Sequence, residues 1–154
     1  MIFFYFLIKS KINLIFRKFN KSSLCFNSMN KIISGNINND IKNNPKKNGW
    51  FMGHFMNDNS PFKNSDFEIK WGNHKKGIIK PILGLNKTAK TMSILISGKV
   101  LIKFTEEKEV ILSKQGDYVF WGAGIYHGSE ALTDAVTLTI RWPSIPNDQE
   151  LFKK

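Results

Sequence analysis

From Trp50 onward, Gly, Pro, Asn and Asp interrupt the chain about every eight to twelve residues, leaving short runs of β-forming residues between them. Such runs suit strands and are too short for stable helices, so the spacing predicts an all-β sandwich or barrel. The expected strands are 49–55, 67–71, 91–96, 99–104, 110–112, 118–121 and 135–142. In the last, Val136, Leu138, Ile140 and Trp142 alternate with Thr137, Thr139 and Arg141, which gives the strand two chemically different faces. Pro143 and Pro146 are expected to end the sheet. Ser97-Gly98, set between two apolar runs, predicts a tight hairpin with Gly98 at positive φ. Gly116-Asp117 predicts a second turn, and GLNKTAKT, which lacks the glycine spacing of a phosphate loop, a plain loop.

Residues 1–48 have a different texture. Up to Lys47 there are nine Lys or Arg against one acid, Asp40, whereas the remainder carries 14 bases against 11 acids. Most of the net charge of +11 therefore lies in this tail, and the globular part shows no nucleic-acid signature. The opening MIFFYFLI is eight apolar residues ended by Lys9, against the roughly 20 of a membrane span, so no transmembrane span is expected. Three readings of the tail stand open. It is a disordered or non-native leader with translation starting at Met29, a partly helical surface or organelle-targeting segment with Ile12, Ile15, Phe16 and Phe19 on one face, or an uncleaved signal anchor.

With 154 residues, one core is expected, and 13 Phe with 4 Trp supply enough aromatic volume to fill a small barrel. The organisation read from the sequence is a basic tail 1–48, a barrel 49–146 and a C-terminal tail 147–154. Cys25 is the only cysteine, which excludes an intrachain disulfide and a cysteine-based zinc site and suits a reducing compartment. A cytoplasmic location is expected, with organelle targeting or membrane-surface attachment through the tail as the alternative.

The segment GDYVFWGAGIYH resembles the second conserved motif of the cupin superfamily, with Gly116, Gly124 and His127 in register. Gly122 stands where that family usually has Pro and Ala131 where it often has Asn. ISGKV around Gly98 is similar to the closing hairpin of the first motif, and 17 residues separate Gly98 from Gly116. The resemblance implies a jelly-roll β-barrel, often dimeric, with an internal ligand pocket. It also implies a metal site that this chain has largely lost. Thr91 falls at the expected Glu, and the expected HxH pair falls among Leu83, Gly84, Leu85, Asn86 and Lys87. Gly77 stands near the first glycine of that motif.

The chain's histidines are His54, His74 and His127. A rearranged metal site would use His74 and His127, helped by Glu68 or Asp117, and would hold Zn, Ni, Mn or Fe. The stripped first motif favours a barrel with no essential metal. Ligand-binding candidates are His127, His74, Arg141, Trp71 and Trp121. Arg141 becomes a carboxylate or phosphate clamp if its strand face lines the barrel, because its planar fork takes such anions bidentately. The leading expectation is a small-molecule-binding homodimer. The alternatives are an isomerase, lyase or dioxygenase-like enzyme using His127 as acid or base, and an interaction module that dimerises through an aromatic sheet face.

Overall fold

The computed structural model describes residues 32–80, 84–105 and 108–151. The readings made on residues 1–31, and Leu83, lie outside them. The strands belong to a compact unit that begins at Asn36. Asn36 caps helix α1 (Ile37–Lys42) by accepting from the Asn38 and Asn39 amides at 3.0 and 3.4 Å. Asn38 Oδ1 in turn accepts from Trp71 Nε1 at 3.1 Å, tying the helix to the sheet.

Ten strands follow: β1 Trp50–Met52, β2 Glu68–His74, β3 Gly84–Asn86, β4 Lys90–Ser97, β5 Val100–Phe104, β6 Glu109–Leu112, β7 Tyr118–Trp121, β8 His127–Ala131, β9 Ala135–Trp142 and β10 Gln149–Leu151. They form two five-stranded sheets, ordered β1-β2-β9-β4-β7 and β10-β3-β8-β5-β6. All described pairings are antiparallel. This is the jelly-roll barrel that the strand spacing and the motif implied.

The turns are where expected, but what they join is not. Gly98 has φ 84°, as the turn requires, yet β4 pairs with β7 and β9 while β5 pairs with β6 and β8. The turn therefore carries the chain from one sheet to the other instead of closing a hairpin. A side chain at Gly98 would collide with the Asp134 carbonyl oxygen, so the close crossing itself needs glycine. Gly116 (φ 89°) makes the same kind of crossing from β6 to β7, held by Asp117, whose carboxylate accepts from the Ser113 and Lys114 amides, each at 2.8 Å.

Two further expectations are corrected. GLN in the expected loop is β3, and the sheet does not end at Pro146, because β10 pairs with β3. Asp148 anchors that return: its buried carboxylate accepts from the Thr88 and Ala89 amides at 2.9 and 3.0 Å. One end of the barrel interior is packed by Leu95, Val100, Ile102, Leu112 and Ala135, with Phe104, Val110 and Val119 against them.

Candidate functional site

The register of the first sheet explains how the other end becomes a site. Glu68 lies opposite Arg141, and Arg141 opposite Thr91; one layer along, Lys70 meets Thr139, which meets Ser93. Because side chains alternate along a strand, these inward rows are polar, and Ile69, Trp71, Leu138, Ile140 and Met92 face out. The barrel end is polar inside and apolar outside.

The result is a cavity of about 110 Å³ between the sheets. Lys70, His74, Arg141 and Trp121 line it from the first sheet, His127 and Ser129 from β8, and Lys80 from the segment after β2. Trp50 stands at the boundary with an outer bay of about 490 Å³, whose wall shares Trp50 and Arg141. The Arg141 guanidinium carbon lies 4.5 Å from the Trp50 ring centre, a cation–π contact that fixes both groups at the mouth.

Charge in the cavity is one-sided. Glu68, 3% exposed, is already committed: its Oε2 accepts from Arg141 Nη1 at 3.2 Å and its Oε1 from Ser144 Oγ at 3.2 Å, with His54 Nδ1 also 3.2 Å from Oε1. Among the described residues no carboxylate pairs with Lys70 or Lys80. Burial, then the neighbouring Lys80 and Arg141, hold the Lys70 ammonium below the usual lysine range. Burial and Arg141 do the same to Lys80. Burial, with the charge of Lys80, pushes His127 down to about 4, and burial with Lys70 lowers His74. Both rings are therefore neutral near pH 7.

The tautomer of His127 follows from its partner. The Ile125 carbonyl can only accept, so His127 Nδ1, 3.2 Å away, carries the proton and Nε2 is bare. His74 Nε2 lies 2.9 Å from Thr137 Oγ1, and a side chain at Gly72 would fall 2.5 Å from that nitrogen, so glycine makes room for the ring. Two buried N–H donors on lining residues, Trp121 Nε1 and Arg141 Nε, have no acceptor among the described residues.

Of the residues singled out from sequence, His74, His127, Arg141 and Trp121 come together in this cavity, and Trp71 does not. Trp71 faces outward, its indole bonded to Asn38, because the polar row of β2 turns inward. Sequence reading passed over Lys70 and Lys80. The signal was the alternation Glu68, Lys70, Gly72, His74 against Ile69, Trp71, Asn73, readable only once the inward row is known to be the polar one.

The metal set implied by the resemblance does not fit. Gly84 lies opposite His127, and Asn86 Nδ2 donates to Thr91 Oγ1 at 3.0 Å, so the positions expected to hold ligands do converge, carrying Gly, Asn and Thr. Asp117 is spent on its own turn and Glu68 on Arg141. No group of three His, Cys, Asp or Glu suited to a metal occurs among the described residues. Three cationic side chains beside two imidazoles would moreover repel a divalent cation.

No protein-family model and no curated protein matches the sequence. Solved structures do match the fold. An uncharacterised protein with a double-stranded β-helix domain from Klebsiella pneumoniae is 17% identical, with TM-score 0.51 over 59% of this chain and 78% of its own. The DMSP lyase DddQ from Ruegeria pomeroyi is 15% identical, with TM-score 0.51 over 61% of this chain, which spans only 47% of that protein. A Streptomyces nucleoside dehydratase solved with uridine is 9% identical, with TM-score 0.51 over 58% of this chain and 71% of its own. At such identities the likeness is one of fold, and the strands of this chain have the double-stranded β-helix, or jelly-roll, fold.

Proposed function

We propose that the barrel binds a small organic anion, a carboxylate, in the cavity and does so without a metal. The observation that carries this reading is the pair of unsatisfied donors, Trp121 Nε1 and Arg141 Nε, beside two lysines that no described carboxylate balances. Buried donors without acceptors and buried cations without counter-charges are both costly, and one carboxylate relieves both. The activities named for the structural neighbours belong to those proteins and do not specify a substrate here.

The test is a thermal-shift titration of the full chain with acetate, lactate and phosphate, beside elemental analysis of the purified protein. Carboxylates raising Tm in the native chain and not in Lys70→Met/Lys80→Met support the reading. No anion raising Tm sinks it. Stoichiometric Zn, Ni, Mn or Fe that disappears in His127→Ala replaces it with a metalloenzyme.

A second copy of the chain is the partner we assign to the outer face of the first sheet. Val136, Leu138, Ile140 and Trp142 are all partly exposed there, Tyr118 and Phe120 are 63% and 49% exposed, and Phe120 stacks on Trp142 at 5.8 Å. Helix α1 covers the β1–β2 end of this face through Asn38, and β9, β4 and β7 leave the remainder open, an area smaller than the roughly 800 Å² each partner gives to a standard interface. An apolar patch, with Lys90 beside Trp142 at one end, is self-complementary under a two-fold axis. The opposite sheet carries the Lys103–Glu130 ion pair (3.1 Å) on its outside and suits solvent. Sedimentation giving a dimer for the native chain and a monomer for Phe120→Lys supports this, and a native monomer at micromolar concentration overturns it. No helix among the described residues is long and apolar enough to cross a membrane. We assign the chain to the cytoplasm on its lone cysteine, and recovery of the full chain in the membrane pellet overturns that assignment.

A further inference from the structure

An anion site needs cations, but it does not need a lysine held where its positive charge is opposed on several sides. Lys70 points inward from the middle of β2 into the cavity, and its Nζ sits 5.8 Å from the Trp50 ring centre. The charged and titratable groups around it are Lys80 from the following segment, Arg141 from β9, His127 from β8, and Glu68 and His74 from its own strand. Glu68 is the only carboxylate among them, and its oxygens are taken by Arg141, Ser144 and His54. A lysine in such company gives up its proton more readily than a solvated one, and a free amine is a nucleophile toward carbonyl carbon. Arg141 and Trp121 line the same cavity, and each carries a buried N–H donor without an acceptor among the described residues. The cavity of about 110 Å³ is somewhat smaller than the roughly 150 Å³ that accepts a benzene ring, which limits an enclosed ligand to a small acid.

We propose that Lys70 forms an imine with a small 2-oxo acid whose carboxylate is held by Arg141. The inference rests on the anion-binding reading for that carboxylate contact and goes beyond it to a covalent step. The Lys70 Nζ lone pair adds to the ketone carbon, opening the C=O double bond to give a carbinolamine. The two amine protons then leave with the former carbonyl oxygen as one water, and the C=N bond forms. No oxidant, reductant or metal enters. Lys80 acts as a positioning residue: after burial itself, its charge is what most disfavours the protonated form of the Lys70 amine.

The experiment incubates the full chain with pyruvate, reduces it with borohydride, and reads intact mass followed by peptide mapping, with lactate as the carboxylate that lacks a ketone. One reduced pyruvate unit is expected on Lys70 in preference to every other lysine, and none with lactate. Lys70→Arg keeps the charge and the fold but loses the adduct. Lys80→Met lowers the yield near neutral pH, and the yield returns above pH ~9, where even an ordinary lysine begins to lose its proton. If pyruvate and lactate raise Tm equally and the adduct is absent, spread over surface lysines, or unchanged in Lys70→Arg, the imine is overturned and the anion site stands. If neither acid raises Tm and no adduct forms, both proposals fall.

Discussion

The two ends of the barrel interior are built from the same strands and have opposite chemistry. On β4 the inward row runs Leu95, Ser93, Thr91, and on β9 it runs Ala135, Thr137, Thr139, Arg141. Leu95, Leu112 and Ala135 close one end, Val100 and Ile102 run from that core to the cavity wall, and the residues further along open the other end around Lys70, Arg141 and the two histidines. The difference teaches that the apolar end supplies stability and the polar end holds unbalanced charge against it. A pocket that carries buried cations and unsatisfied donors is affordable only because the far end is fully packed.

The strongest way to break the comparison is at the apolar end. Leu95, fully buried, changed to Ala is expected to lose about 3 kcal/mol in denaturant unfolding, with the anion-dependent rise in Tm retained in the fraction that folds. A loss below 1 kcal/mol would mean that this end is not the stabilising one.

At the polar end, Arg141→Met strands a carboxylate that is almost fully buried, and about 3 kcal/mol should be lost with it. Glu68→Gln/Arg141→Met should recover much of that loss and still fail to respond to carboxylates. Recovered anion binding in the double variant would remove Arg141 from the site.

The third contrast is in pH. His127 titrates near 4 when folded and near 6.5 when unfolded, so between those values the unfolded chain binds the proton first. Stability is therefore full above about 6.5 and falls as pH drops toward 4, by on the order of 2 kcal/mol after allowing for partial exposure. Urea midpoints of the native chain and His127→Gln should converge on acidification, and parallel curves would count against a buried neutral His127.

The smallest effect has the opposite sign. Lys70→Met removes a cation that faces Lys80 and Arg141, so stability should rise by about 1 kcal/mol while carboxylate binding weakens. A variant less stable than the native chain would show that Lys70 has a counter-charge.

Much of the fold was legible because turn chemistry is local. Gly98 and Gly116 have the positive φ that their dipeptides implied, and seven of the strands fall where β-formers cluster. What each turn joined was not legible, since a glycine with φ 84° serves a hairpin and a sheet crossing equally. β3, β8 and β10 were missed because Gly84–Asn86 and Gln149–Leu151 are three residues each, and His127–Ala131 holds a glycine and a glutamate; partners across the sheet place them, not propensity.

The site shows the same division. His127 was found through its glycines, and Arg141 through an alternation that named its face without saying which side of the sheet that face was on. Trp71 and Lys70 stand on opposite faces of β2, and nothing in the strand's own pattern said which of the two faces is enclosed. By itself, the sequence determined that the chain is a β-barrel with a stripped metal motif, and that its strands have two unlike faces. The tertiary structure alone decided which face is enclosed, because a period-two pattern is symmetric about its strand and only the closing of two sheets on one another chooses an inside.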